Sequence, residues 1–490
     1  MKSNFGFPKQ HTIHPIAEDS RNNVGFFVYS LQRLIFCRGL IIFFTVVIMT
    51  TVLAQSKKPN GLEGLSMGQP GPGNPPPDDS GPYMLSGVYT VDGKTGVTAS
   101  EKTYRSDSMD VSAVYVTNNG ELTLKNATII TTCNTSSQSN SSFYGLNAAV
   151  LATKGSMLTM EGGSITTTGT GANGAFATDP GSAITLCNVR IKADNDGGHG
   201  VMATNGGSIT LINVDITTSG PHSAPIATDR GSGTITLTGG TVAASGEGSP
   251  GIYSTGLITV SNLKSTATGS EAVVIEGKNS VILTNCTLHG EKLCGVMIYQ
   301  SFSGDAEVGI ANYAMTAGAL TAASGPLFYI TNTVAEVTLK DVNAVASSGQ
   351  LFQVSKGRWG QEGHNGGNLT FIADHQTLTG DIAVDTISTL AFSLLNGSNF
   401  TGSIDADNTG NEVALTLDAA SIWNVTADSY LSCLTNPDRI SGNTINNIIG
   451  NGHTVYYDST RCPVFQGKTY QLSGKGKLRP DHGRLWIKKK

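Results

Sequence analysis

The chain has 490 residues, 60 of them glycine; 39% are hydrophobic, only 14% are charged, and the formal net charge is −5. No basic stripe runs through the body, which argues against nucleic acid as a partner. Length alone would suggest about three ordinary domains, but a repeat architecture can use the same length as one body.

Residues 1–54 read as a signal peptide with a long n-region. The apolar run LIIFFTVVIMTTVL at 40–53 follows Arg33 and Arg38 and precedes Ala54-Gln55-Ser56, which gives a charged region, a short apolar core and a small-residue exit. The run is short for a bilayer span, which needs about 20 residues. Cleavage after Ala54 is expected, which places the chain outside the cell or on its surface. Membrane contact would come only through this segment, if it is retained as an anchor. Residues 55–84 form a Pro/Gly-rich linker, including PNGLEGLSMGQPGPGNPPPDDSGP. Such a composition cannot pack a core and reads as a disordered tether.

From residue 85 one phrase recurs. It reads LTLKNATI from Leu122, LTMEGGSI from Leu158, ITLCNVRI from Ile184, ITLINVDI from Ile209, ITLTGGTV from Ile235 and ITVSNLKS from Ile258. Rougher copies are VILTNCTL from Val281 and VTLKDVNA from Val337. Apolar residues alternate within each copy, so one face points inward. The fifth position is Asn126, Gly162, Asn188, Asn213, Gly239, Asn262, Asn285 or Asp341. These residue types best tolerate a left-handed backbone. A bend therefore recurs once per coil, and the ladder Asn126, Asn188, Asn213, Asn262 and Asn285 can hydrogen-bond up the column. A second column is expected from Ala-Thr at 152–153, 177–178, 203–204 and 227–228, then Ser254-Thr255. Two strands and two bends per step leave no room for a helix. Successive copies must lie parallel at the sheet spacing, and the crossover rule makes the winding right-handed.

The expected fold is all-β: a single right-handed parallel β-helix over 85–440, roughly fourteen coils at this period. Residues 85–115 are expected to cap its start, and 441–490 to form a C-terminal β cap with a basic tail. Caps are needed because an open sheet edge promotes aggregation.

The period breaks at 295–333, where Tyr299, Gln300, Phe302, Asp305, Glu307 and Tyr313 concentrate. A second unusual loop, KGRWGQEGHNGGN at 356–368, holds Arg358, Trp359 and His364. Aromatic rings beside polar groups on a β-helix flank suit glycan stacking. Tyr299, Gln300, Phe302, Asp305, Glu307, Arg358 and Trp359 are the candidate ligand residues, with glycans or cell-surface components as partners. The competing reading has the aromatics plug a wider coil.

Beyond the leader, the cysteines are Cys133, Cys187, Cys286, Cys294, Cys433 and Cys462. An even number in an exported chain permits disulfides. Cys286 with Cys294 and Cys433 with Cys462 are the pairs to test, against buried, unpaired thiols.

The phrases ATDRGSGTITLTGGT (227–241), SPGIYSTG (249–256), VIEG (274–277), MIYQSFSGDAEVG (297–309), GPLFYITNT (325–333), RWG (358–360) and IIGNGHTVYYD (448–458) together resemble bacterial secreted or surface β-helix proteins of the adhesin-like kind, within the pectin-lyase-like superfold. The resemblance covers roughly 85–480. It implies a fold and a location rather than a reaction, and it carries no catalytic set. The cysteines depart from its pattern.

Catalysis on this scaffold would be a polysaccharide lyase or a glycoside hydrolase. The best string is RIKADNDGGHG at 190–200, with Arg190, Lys192, Asp194, Asp196 and His199. Glycosidases need carboxylates gathered around one bond, and here both Asp lie in one loop. No zinc, calcium or phosphate-binding motif appears, so no metal or cofactor is expected. The expectation is a non-catalytic binding protein, with the enzyme or a purely structural stalk as alternatives.

Overall fold

A computed structural model describes residues 81–301, 304, 306–436 and 439–481. The leader, most of the linker, Phe302, Asp305 and the last nine residues lie outside them. The fold is nearly all-β: 55% of the described residues are strand and 3% helix, with parallel coils stacked into a β-solenoid of about 16 turns. That exceeds the coil count expected from the period because further coils lie beyond 440.

The first coil shows how local sequence makes the fold. It consists of β1 (Ser86–Asp92), β2 (Val97–Ser100) and β3 (Thr103–Ser106). β4 (Val111–Thr117) and β5 (Glu121–Thr131) form the next coil and pair with it in parallel, Val91 against Val116, Val97 against Leu122 and Thr103 against Thr128. Residues 85–106 are therefore wound as a coil and paired to the one that follows. The phrase beginning at Leu122 does not stop at its bend either. β5 runs through Asn126 and onward, so each coil has three faces where two strands were expected.

The first face is a sheet of 12 strands. An 18-stranded sheet wraps the corner to cover the second face and part of the third, and a nine-stranded sheet continues the third. Beyond Ile440 the parallel strands Thr444–Ile449 and Thr454–Asp458 continue the winding. Tyr470–Ser473 and Lys477–Asp481 end it by pairing antiparallel to each other.

The corner column is continuous. Asn126, Gly162, Asn188, Asn213, Gly239, Asn262 and Asn285 all have φ between 50° and 71°, and the line continues through Ala317, Asp341, His375 and Asn396 at φ 50° to 59°. Ala317 explains the apparent break at 295–333. Strand Ile310–Ala322 pairs with Ser280–Gly290 on both sides of the corner, Thr284 against Thr316 and Cys286 against Gly318. A full coil is present there, hidden because alanine occupies the left-handed corner. The long first step from Leu122 to Leu158 has another cause, the helix α1 (Gln138–Tyr144) inserted in the connecting loop.

Neighbouring asparagines bond up the ladder. Asn213 Nδ2 donates to Asn188 Oδ1 at 2.7 Å, and Asn285 Nδ2 to Asn262 Oδ1 at 2.7 Å. Farther along, His375 Nδ1 meets Asp341 Oδ1 at 2.5 Å. The Ala-Thr column is less regular than its words suggest. Ala177 faces Ala203, but Ala203 faces Thr228, so the fourth word slips by one residue.

The core begins as stacked Val, Ile, Leu and Ala. From Tyr313 it becomes an aromatic pile: Tyr313 and Phe328 at 5.4 Å between ring centroids, Phe352 and Phe371 at 4.3 Å, then Phe392 and Phe400 at 5.4 Å and the fully buried Trp423. Each ring buries roughly 150–250 Å². Among the aromatics set aside as candidate ligand contacts or plugs, Tyr313 is a plug.

Cys433 and Cys462 form a disulfide. Cys286 and Cys294 do not pair; both are buried thiols. Cys286 shares the interior with Tyr313, and its Sγ is directed at the Val260 and Thr284 carbonyls, whereas Cys294 lies by Glu271 before the next first-face strand. Eight residues of winding carry the chain round to a different corner.

Two substitutions separate the corner's components. Gly240 follows the corner at φ 105°, and an added Cβ would lie 2.0 Å from the Val214 carbonyl oxygen. Gly240→Ala is expected to cost more than the roughly 1–3 kcal/mol of left-handed strain alone. Asn213→Gly keeps the backbone and removes the rung, costing about 1 kcal/mol. Urea unfolding of both variants should rank them in that order.

Candidate functional site

The three faces do not present the same surface. On the second face the outward column is Thr123, Thr159, Thr185, Thr210, Thr236 and Thr259, paired coil to coil. On the first face the corresponding column is Tyr115, Leu151, Phe176, Met202, Ala227, Tyr253, Val274, Met297 and Tyr329. An outward row of this kind needs a cover or a ligand. Its N-terminal part is covered: Tyr115, Ala148, Leu151, Phe176, Met202, Ala224 and Ala227 form a second apolar cluster outside the sheet. α1 closes over it. Ser137 caps the helix by accepting from the Asn140 N–H at 3.0 Å. The Phe143 carbonyl accepts from Thr204 Oγ1 at 2.9 Å and Asn205 Nδ2 at 3.1 Å.

Farther along the same face lies the cluster that contains the candidate residues. Tyr299 ends the strand Val296–Tyr299. Its ring stacks on Trp359, with centroids 5.6 Å apart and planes 29° apart. Trp359 arrives on the loop 356–366, which Asn365 pins by donating to the Gly357 and Trp359 carbonyls at 2.9 and 2.8 Å. Arg358 places its guanidinium carbon 4.4 Å from the indole centroid. Tyr299, Arg358 and Trp359 are thus brought together on the outside of the coil. Glu307 is turned away, 3.8 Å from the Lys278 ammonium on the neighbouring coil. Gln300 is buried, donates to the Ala306 carbonyl at 3.2 Å, and keeps its Oε1 without a partner. Phe302 and Asp305 lie outside the described residues.

Sequence reasoning missed the group beneath this shelf. Glu276 is 2% exposed, yet it points outward from the first face. Tyr253 donates to its Oε2 at 2.7 Å and Tyr299 at 3.0 Å, while Ser301 donates to Oε1. Burial, reinforced by this carboxylate, pushes the Tyr299 phenol far above its ordinary range. For Tyr253 the causes are burial, then Tyr299 and Glu276. The signal was present in the strand Val273–Glu276, where an outward glutamate follows Tyr253 and precedes Tyr299 by one coil each.

The string at 190–200 is occupied structurally. Lys192 pairs with Asp194 at 2.5 Å, Asp194 accepts from Ser219 at 3.1 Å, and Asp196 meets His222 at 3.1 Å. His199 stacks in the column of Asn173 and Ala224, and burial lowers its pKa to about 4. Asp179, Asn205 and Arg230 follow one another coil to coil. Among the described residues no group of three or more His, Cys, Asp or Glu could hold a metal ion. No protein-family model matches the chain, and no curated protein matches it.

Two predictions follow from these buried groups. Glu276→Leu strands the Tyr253 and Tyr299 hydroxyls, and the solenoid should lose about 3 kcal/mol, measured by urea unfolding. His199 is depressed in the fold relative to about 6.5 in the unfolded chain. Its contribution is complete above about pH 6.5 and disappears as pH falls towards 4, at most roughly 3 kcal/mol. The urea midpoint should fall between pH 7 and pH 4.5, and fall less in His199→Gln.

Proposed function

We propose that the chain is a secreted or cell-surface β-solenoid of the adhesin-like kind that binds carbohydrate without catalysis. The observation that carries this reading is the meeting of Tyr299, at a strand end, and Trp359, on a loop, on the outer side of the first face, with Arg358 over the indole. Aromatic rings give a sugar's C–H face a stacking partner. The exposed guanidinium supplies a fork of donors to hydroxyl or carboxylate oxygens. The leader-like segment at 40–53 and the resemblance of the repeat phrases to surface β-helix proteins support the location.

A glycosidase on this scaffold would need two carboxyl groups about 5–9.5 Å apart across one bond. The buried carboxyls of this region, Glu271 and Glu276, are each engaged within the chain, Glu271 by Ser270 and Glu276 by Tyr253, Tyr299 and Ser301. A purely structural role has its own support in the threonine column and the Glu276 hydrogen bonds, which hold coil to coil without any ligand.

A glycan array probed with the full chain, with an assay of new reducing or unsaturated ends on acidic polysaccharides, separates these roles. Glycan binding that drops at least tenfold in Trp359→Ala, with unchanged unfolding, is the expected result. New chain ends would replace this reading with an enzyme. An array with no bound glycan would leave the structural role.

A further inference from the structure

The N-terminal end of the first face carries a second feature that the Tyr299–Trp359 shelf does not use. A groove of about 450 Å³ opens between residues 83–85 and α1, within the size range of small-molecule sites. Its described lining includes Tyr83, Tyr115, Tyr144, Thr153, Lys154 and Asp179. The wall is built. Asn140 Nδ2 donates to the Gly81 carbonyl at 3.1 Å, and Tyr83 stacks on Tyr144 with centroids 4.6 Å apart and planes 16° apart. Tyr115 forms the floor, with its hydroxyl 3.3 Å from Thr153 Oγ1. Tyr83 nevertheless remains 41% exposed, so the stack leaves ring surface open to solvent.

The polar groups at the rim are incompletely used. Asp179 Oδ2 accepts from the Lys154 backbone N–H at 3.0 Å, which leaves Oδ1 for another donor. Among the described residues, the Lys154 ammonium and the Tyr83 and Tyr144 hydroxyls hold no hydrogen-bond partner. One cation and one anion face the groove, so its charge is balanced. Open aromatic surface beside both unspent donors and unspent acceptors suits a ligand with an apolar C–H face edged by hydroxyls. A cation would meet the Lys154 charge, an anion the Asp179 charge, and a plain hydrocarbon would leave the rim groups unbonded.

We infer that this groove binds a single neutral pyranose, the ring seated against Tyr83 and Tyr115 and its hydroxyls bonded to Lys154 and Asp179. The site is separate from the shelf and stands or falls without it. The probes are free glucose, galactose, mannose and N-acetylglucosamine, with glucuronate as the charged control, observed by saturation-transfer NMR and titration on the full chain. One or more neutral sugars should bind, glucuronate more weakly, and Tyr83→Ala and Asp179→Asn should each weaken the neutral sugar at least tenfold. Asp179→Asn retains the acceptor to the Lys154 N–H, so it tests the carboxylate without removing the wall. Trp359→Ala should leave this binding unchanged. The inference is overturned if none of the four neutral sugars binds, or if binding survives both groove variants. Binding that is lost in Trp359→Ala but kept in Tyr83→Ala would assign the sugar to the shelf and also overturn it.

Discussion

Everything in this solenoid depends on one backbone conformation repeated at one place in each coil. The left-handed residue between the second and third faces turns the chain without breaking the parallel pairing on either side. Most side chains resist that conformation by about 1–2 kcal/mol, and asparagine, aspartate and glycine resist it least. Where two asparagines are adjacent, the rung between them adds a hydrogen bond along the stacking direction. Where the corner is Gly162, the residue after it, Gly163, lies close to the preceding coil's backbone, and a Cβ there would fall 2.1 Å from the Ala127 carbonyl oxygen. Registry at the corner then propagates. Each inward residue stacks on its equivalent, and the core becomes columns of like side chains.

Because each coil touches mainly its two neighbours, stability in such a body is close to a sum of local terms. Local exceptions are therefore tolerated, and they are informative. Ala317 takes the left-handed corner without an asparagine's local hydrogen bonds, yet its coil is intact because Tyr313, Met315 and Leu320 fill the interior. His375 and Asp341 replace the asparagine rung with an ion-pair geometry.

The first face departs most from a self-sufficient solenoid. Its outward column is apolar or aromatic where the second face carries threonine. Added segments lie over it: α1 near the start, and the loops around 300 and 360 farther along. A buried carboxylate holding Tyr253, Tyr299 and Ser301 ties that second cover to three successive coils. The free-energy cost of burying Glu276 is offset only if its donors stay in place. That requirement fixes the Tyr299 side chain where it stacks on Trp359.

The sequence alone was enough to establish the solenoid, since alternation and the recurrent Asn/Gly/Asp corner are local properties that a period search reads directly. It also singled out Tyr299, Arg358 and Trp359 as candidates together with Gln300, Phe302, Asp305 and Glu307, because aromatics interrupting a Thr/Ser-rich repeat are conspicuous, but it could not tell which of the seven meet. It could not show the coil behind Ala317, since one alanine masks the corner, nor the one-residue slip between Ala203 and Thr228. Identical words do not fix register when loops differ in length. Cys286 and Cys294 looked like a pair because they are near in sequence, whereas winding sends them to different corners. Only the tertiary structure decided that Glu276 meets Tyr253 and Tyr299, and that Trp359, sixty residues from Tyr299, lies against it. Contacts between coils depend on the exact length of every turn between them, and no single stretch of the chain carries that sum.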